Sequence, residues 1–469
     1  MSRPQKIMEP LEGNFENILA AMVDQYKPAK AEATITTGLR DAAFTQNRQE
    51  PLHRWVPWIA GFSADFVADT FQVLAGLDPQ EVVLLDPFSG VGTTLVEGFK
   101  RGFNTIGFEI NPFAALVCGV KLRAGRCDLR RLRAETAAFV GWLESSTENQ
   151  LPAHTQRPPG FRSRDPFFSP AIEPQILLAK DYIADLPEVW LQDMFRVALG
   201  AILVEVSNYS YEPSLGRRIA AGKPEVLSAD VAQIMGSKLA QIADDVETLQ
   251  DRVSGLSYAP KSEMHRGSYL DGARLLPRGS ISLLVTSPPY LNNYHYIRNT
   301  RPHLFWLDLV HDTKELKALE CGSFGKFWQT VRAGPPVLLD FDCPELREPL
   351  AALAGKNAHK GAYGGQGWAN YAASYFNDCD RFCRETLGVM KPGGRAFVVI
   401  GNNILQGIEF KTDEIFARIA ESRGFKVLDI HAVREKRTGN SILNSSVRNG
   451  ETATKVRLYE SAVELQVPG

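Results

Sequence analysis

The stretch EVVLLDPFSGVGTTLVEGFKRGFNTIGFEIN, residues 81–111, decides the fold. EVVLLD (81–86) is a short continuous apolar run of the kind that forms a strand buried on both faces. PFSGVGTT turns on two glycines and leads into a helical pattern that closes at Gly102, after which NTIGFEIN (104–111) reads as a second strand. Strand, glycine turn, helix and strand in that order open a doubly wound α/β sheet.

Working outward, HRWVPWIAGFSADFVADTFQVLAGL (53–77) has apolar spacing that predicts a helix packed on this unit. From about 120 to 262 the text turns helical and polar, with Pro-rich breaks at 152–171 and a long helix predicted over 229–253, beginning at Ser228. That is too long for a loop, so a large helical insertion is expected. Strand signals return at SYLD (268–271) and ISLLVT (281–286). KPGGRAFVVIGN (391–402), FKVLDIHAV (425–433) and TKVRLYESAVEL (454–465) complete the sheet, with a helix near 411–423. The expected organisation is an N-terminal segment with the first half of a Rossmann-like core (1–119) and a helical insertion that is a candidate for target recognition (120–265). A catalytic part of the core (266–310), an irregular second insertion (311–373) and the C-terminal half of the core (374–469) follow.

The formal net charge of −2 argues against a uniformly basic coat, while leaving room for a local basic cleft. No apolar run is long enough to span a bilayer and MSRPQKIMEPLEGNFEN lacks an apolar signal core, so a cytoplasmic protein without membrane contact is expected. The six cysteines form no CxxC pair and the eight histidines no HxxxH or HxH grouping, so no metal is expected; Cys379 and Cys383, one helical turn apart, read as core thiols.

The chemistry is expected at the C-terminal ends of the strands, where ligands sit in open α/β sheets. Asp86 ends the first strand, Gly90 and Gly92 let the backbone approach a ligand, and Glu109 ends the second strand at a spacing that suits the ribose hydroxyls of a bound adenosine. GVGTT lacks the third glycine of the dinucleotide fingerprint. The other unusual stretch is ISLLVTSPPY (281–290), a buried strand that runs into Ser287, Pro288, Pro289 and Tyr290. Two prolines in succession stiffen the backbone and fix whatever the serine and tyrosine present.

DPFSGVGTT, GFEINP, DGARLLPRGSISLLVTSPPY and MKPGGRAFVVIGNN together resemble the S-adenosylmethionine-dependent amino-methyltransferases of DNA, over roughly 53–119, 266–310 and 374–465. The resemblance implies that Asp86, Phe88, Gly90, Gly92 and Thr93 line the methionine end of S-adenosyl-L-methionine. It further implies that Glu109 holds the ribose, Asn111 to Phe113 flank the adenine, Asp271 contacts the adenine amine, and Phe62 covers the cofactor from the N-terminal side. Ser287, Pro288, Pro289 and Tyr290 would be the catalytic motif acting on an extruded base. A serine heading that motif favours cytosine N4 within the family; adenine N6 and an RNA substrate stay open as alternatives. Many serine-headed members place the catalytic motif ahead of the glycine turn, an order reversed here.

DNA is therefore the expected partner, with a cognate restriction or defence protein implied by the family. Two basic clusters are candidates for phosphate contact: Lys121, Arg123, Arg126, Arg130, Arg131 and Arg133, and Arg217 and Arg218 with Lys223 beside Tyr209 and Tyr211. The first reads equally well as a solvated helix face. Asn292, Asn293, Tyr296 and Arg298, just after the catalytic motif, are candidates for the mouth of the base pocket. GAYGGQGWANY (361–371) reads as a mobile, DNA-contacting lid or a surface loop, and REKRTGNSILNSSVRNG (434–450) as a basic loop near phosphate.

Overall fold

Eleven strands are assigned among the residues that the computed structural model describes, which are 38–42, 47–58, 61–211, 214–291, 296–436 and 458–469. They are β1 (Val83–Asp86), β2 (Asn104–Glu109), β3 (Tyr209–Tyr211), β4 (Leu215–Arg217), β5 (Ser262–Arg266), β6 (Ile281–Thr286), β7 (Met390–Gly401), β8 (Asn403–Leu405), β9 (Ile408–Phe410), β10 (Lys426–Lys436) and β11 (Leu458–Gln466). Seven form one sheet in the order β10-β11-β7-β6-β1-β2-β5, and β3–β4 and β8–β9 are separate hairpins. The strands from β5 to β7 run parallel; β11 pairs antiparallel with both β7 and β10. This is a Rossmann-like doubly wound sheet, and its order reverses at β1, where the crossovers leave in opposite directions and a crevice opens. The parallel registers Asp86↔Gly107 and Leu84↔Leu283 bring the ends of β1, β2 and β6 to that same edge.

Period-two alternation covers both faces. Leu84, Leu283, Val285 and Phe397 join Phe62 and Phe66 in one core cluster, while Leu85, Leu284, Val398 and Ile400 join Phe376, Phe382 and Phe416 in another. Phe66 belongs to α1 (Ala64–Thr70), and the glycine turn leads into α2 (Thr93–Phe99); α3 (Pro112–Ala124) follows β2. The helical insertion supplies α4 (Leu129–Glu148), α5 (Glu173–Asp185), α6 (Val189–Ile202) and α7 (Val231–Ser254). Leu132, Phe139, Phe195 and Leu239 of the insertion share a third cluster with Val91, Leu95 and Phe113, so these helices are built onto the sheet's own helical layer.

After β5 come α8 (Tyr269–Gly272), α9 (Tyr296–Trp306), α10 (Thr313–Gly322), α11 (Trp328–Val331), α12 (Pro344–Gly355), α13 (Gly365–Val389) and α14 (Thr412–Ser422). Cys379 and Cys383 are both fully buried on α13.

Several expectations need correcting. The single helix over 53–77 is a 3₁₀ turn (His53–Trp55), α1 and a second 3₁₀ turn (Phe71–Leu74), because Pro57 and Gly61 interrupt it. The long helix begins after Asp230, whose carboxylate accepts from Gln233 N, and not at Ser228. SYLD is the one-turn helix α8; the strand lies just before it, in SEMHR, whose ladder with β2 closes at Gly267 N to Glu109 O, 2.9 Å. The glycine-rich stretch is not a loose lid: a 3₁₀ turn ends at Tyr363 and α13 begins at Gly365. A Cβ on Gly365 would lie 1.8 Å from Leu353 O, so that glycine serves close packing. Of the 434–450 stretch, everything beyond Lys436 lies outside the described residues.

Candidate active site

The crevice at the strand ends is an open pocket enclosing about 1000 Å³, the solvent at its mouth included. Its lining draws on β1 and the turn after it (Pro87, Phe88, Gly90), on the end of β2 (Glu109, Ile110, Asn111), on the β5–α8 corner (Gly267, Ser268, Tyr269), and on Ser287 and Pro289 after β6. Tyr296 and Ile297 of α9 and Trp58 from the N-terminal side complete one wall. The other wall is the second insertion, through Glu320, Phe324, Lys326, Phe327 and Tyr371. Segments more than 300 residues apart in sequence thus meet around one space.

Glu109 is its most tightly held acid. Its Oε2 accepts from Gly90 N (2.8 Å) and its Oε1 from Asn111 N (2.7 Å), so one carboxylate ties the glycine turn to the start of α3. Asn111 then caps α3 by accepting from Phe113 N (3.0 Å). Burial pushes the Glu109 carboxyl up to about 7, against those two backbone donors and with the charge of Asp86 nearby. Asp86 is fully buried, and burial raises it to about 6 although its Oδ1 accepts from Thr286 Oγ1 (2.6 Å) and Phe88 N (3.0 Å). Its Oδ2 is buried with no partner.

The turn is also braced from behind. Gly90 and Gly92 have φ of +50° and +91°, a region that favours glycine, and a Cβ on Gly92 would lie 2.7 Å from Cys118 Sγ. Lys121, fully buried on α3, donates from Nζ to Val91 O (3.0 Å), and burial lowers its pKa to about 7. Trp58 lies over Gly90, whose Cβ would meet its Nε1 at 3.3 Å.

At the other side of the cavity Ser287 Oγ donates to Val399 O on β7, 3.1 Å away. With its hydrogen on that carbonyl, the Ser287 oxygen retains acceptor capacity; its side chain also hydrogen-bonds with that of Tyr290. Pro288 is buried behind Pro289. Tyr290 packs on the core cluster under β6 and β7, and burial, with the negative charge of Glu460, holds its hydroxyl well above the ordinary tyrosine value.

The structure therefore brings Phe88, Gly90, Glu109, Asn111, Ser287, Pro289 and Tyr296 into one cavity wall, with Asp86, Gly92, Thr93, Pro288 and Tyr290 outside the lining. Thr93 is buried at the first turn of α2. Asp271 is not in the cavity wall: it is mostly exposed and pairs with Arg381 (2.9 Å), because α8 turns it away and presents Ser268 and Tyr269 instead. Phe62 packs edge-on against Phe66 in the core, and Trp58 takes the covering place expected of it. Asn292 and Asn293 lie outside the described residues. Arg298 is exposed on α9, one residue from the lining.

Arg217 pairs with Asp165 (2.8 Å) and Arg218 Nε donates to Pro224 O (2.9 Å); their hairpin is docked on α9 through Tyr211 Oη to Asn299 O (3.2 Å). The first basic cluster is largely committed within the insertion as well, Arg123 to Asp193, Arg131 to Glu135 and Arg133 to Glu247, while Lys121 is interior. Trp58, Ser268 and the wall from Glu320 to Phe327 were not picked out by the sequence. Only the apolar and aromatic bias of FGKFW hinted at the last.

No protein-family model matches the chain. Curated relatives do. The Type II methyltransferase M.MvaI of Kocuria varians is 22% identical over 396 residues, covering 82% of this chain and 83% of its own length. M.BsoBI of Geobacillus stearothermophilus is 21% identical over 468 residues (91% and 89%), and M.AvaI of a Nostoc species 23% over 438 (88% and 87%). The chain is similar to Type II methyltransferases. The matches span most of each chain.

Among the described residues no helix is long and apolar enough to cross a membrane.

Proposed function

We propose that this protein is a site-specific DNA methyltransferase that moves a methyl group from S-adenosyl-L-methionine to the exocyclic amine of a base taken out of the helix, with cytosine N4 the favoured target. The observation that carries the reading is a single cavity, at the switch point of a doubly wound sheet, walled by the Gly90 turn, the Glu109 carboxylate and Ser287–Pro289. The Type II methyltransferase relatives support it; a role in marking self DNA beside a restriction partner belongs to the same proposal.

The donors and acceptors suit the cofactor. Glu109 has lone pairs left over after its two backbone contacts and faces the cavity, as an acceptor for ribose hydroxyls must. Phe88, Phe324 and Phe327 supply apolar walls, Trp58 and the glycine turn the narrow end. Bound there, S-adenosylmethionine supplies an electrophilic methyl group.

The chain's own part is to make a poor nucleophile competent. An exocyclic amine delocalises its lone pair into the ring, and acceptors placed at its two N–H groups favour a pyramidal nitrogen with the lone pair free. Ser287 Oγ, its hydrogen given to Val399 O, is such an acceptor; the carbonyl of Pro288 is the second. The two prolines hold both in place before the base arrives, which is where preorganised polar groups derive their advantage. A covalent adduct is not needed, and no cysteine is among the lining residues. Cys343, beside Pro344, is buried and donates to Glu345 instead.

Nucleoside mass spectrometry of unmethylated DNA after incubation with protein and S-adenosylmethionine, beside Ser287→Ala, tests the reading. N4-methylcytosine absent from the variant is expected. N6-methyladenine would keep the mechanism and overturn the base assignment; methylated RNA with unmodified DNA would overturn the polymer.

A further inference from the structure

A chain of aromatic contacts leads from the cavity wall to the surface of the second insertion. Tyr371, which lines the cavity, packs edge-on against Trp368 at 6.1 Å between ring centres; Trp368 stacks on Trp328 at 4.8 Å and 22° between planes. Trp328 follows Phe327, another lining residue. The guanidinium of Arg332 lies over the Trp328 ring at 4.6 Å and over the Tyr363 ring at 4.1 Å; the two rings are 6.0 Å apart and inclined by 65°, so it sits in the corner between them. Tyr363, at the outer end, is 62% exposed. Room for the arginine comes from Gly367, whose Cβ would lie 3.0 Å from Arg332 Cβ.

What the arginine lacks is an anion. Among the described residues no carboxylate lies within ion-pair distance of it, and its one side-chain hydrogen bond runs from Nη2 to Tyr363 Oη, 3.1 Å. Arg123, Arg131, Arg133, Arg217 and Arg381 all have acids against them. A guanidinium set in that corner, with one N–H spent on Tyr363 Oη, has the remaining N–H donors of its fork to offer an oxygen anion.

We propose that Arg332 and Tyr363 form a DNA contact beside the cavity, Arg332 taking a backbone phosphate and Tyr363 offering its open ring to a neighbouring sugar or base; this rests on the DNA reading above. An electropositive edge set in an aromatic surface is the combination that single strands and distorted duplexes bind, phosphate by charge and base by stacking. The position adds a reason: extruding a base disrupts the duplex next to the cavity, and the contact lies where the disturbed strand must pass. Lys326, on the cavity wall, and Lys360, exposed beside Tyr363, carry the same sign.

The test is fluorescence anisotropy of fluorescein-labelled random-sequence duplex DNA across a salt series, with S-adenosylhomocysteine present, for the wild type, Arg332→Ala, Arg332→Lys and Tyr363→Ala. Arg332→Ala is expected to weaken binding about tenfold and to lower the salt slope by about one phosphate contact. Arg332→Lys should restore the slope but not the affinity, since an ammonium keeps the charge and loses the planar fork of donors. Tyr363→Ala should weaken binding with the slope unchanged, and its exposure makes a folding defect the wrong explanation if its melting temperature matches the wild type. Affinity and slope at wild-type values in both alanine variants would overturn the proposal while leaving the DNA reading intact. A wild type that binds no DNA would overturn both.

Discussion

Glu109 is where burial and ligand chemistry oppose one another. With its carboxyl pushed up to about 7, it is protonated at acidic pH, yet an acceptor for two ribose hydroxyls works best as a carboxylate. Cofactor affinity should therefore fall about tenfold per pH unit below 7 and level off above 8, as calorimetric titration with S-adenosylhomocysteine will show. Glu109→Gln should flatten the profile and bind about tenfold more weakly at pH 8, the two proteins converging toward pH 6. A wild-type profile flat from pH 5 to 8 would sink the assignment. On the other side, if Ser287 acts as proposed, Ser287→Ala removes an acceptor that matters only as the amine pyramidalises. It should lower kcat roughly 10²- to 10³-fold, the usual cost of deleting one preorganised polar group, with cofactor affinity and melting temperature near wild type. The place of both at the cavity was legible in the sequence because each stands at the end of a strand on the same edge of the sheet. Asp271 was misplaced for a related reason: SYLD mimics a strand end, while the edge strand SEMHR, polar and half-exposed, carries no apolar run to reveal it.

Elements show where glycine misleads. Four glycines in seven residues suggest a mobile loop, but here they let α13 start against α12: a Cβ on Gly365 would meet Leu353 O at 1.8 Å and one on Gly367 would meet Ala362 O at 2.4 Å. Backbone carbonyls cannot swing aside as side chains do. Gly365→Ala should thus cost roughly 2–4 kcal/mol and shift the wall that carries Phe324 and Tyr371, so cofactor affinity should drop along with the melting temperature. Gly141→Ala is the matched control. Gly141 sits exposed within α4 with nothing within 4 Å of its Cβ, and alanine there should stabilise by about 0.5–1 kcal/mol. Equal melting shifts in the two variants would refute the packing account. The turn at Gly90 and Gly92 was readable because a strand and a helix flank it. The start of α13 has no such frame, and neither periodicity nor composition could separate close packing from looseness.

At the scale of the whole molecule, most of the core strands could be read along the chain from short apolar runs, whereas their order in the sheet and which insertion walls the cavity depend on packing between segments distant in sequence. That packing leaves a signature in the response to alkali. Cys118, Cys379 and Cys383 are fully buried, and burial holds each thiol well above its ordinary value of 9.0. A folded-state pKa raised above the unfolded one contributes stability that is complete below pH 9 and is lost as pH climbs from there, about 1.4 kcal/mol per unit per group. Lys121 has the opposite sign: lowered to about 7 from 10.5, it adds stability as pH rises between those two values. Between pH 9 and 10.5 these four groups alone give a net loss of about two groups, or roughly 2.7 kcal/mol per unit, to which Cys127 and Cys343, each raised to about 11, add with the same sign, against a total that for domains is commonly about 5–15 kcal/mol. Urea unfolding at half-unit steps should give a stability that rises by about 2 kcal/mol between pH 7 and 8.5, from Lys121, and a steep decline above pH 9. The double variant Cys379→Ala, Cys383→Ala should start less stable, from the cavities it leaves, but lose about two groups' worth of that slope. Lys121→Met should steepen the decline by one group. A slope that is the same in all three proteins would mean that the alkaline transition is set elsewhere, by tyrosines or surface charge, and that the thiols ionise only after the fold has opened.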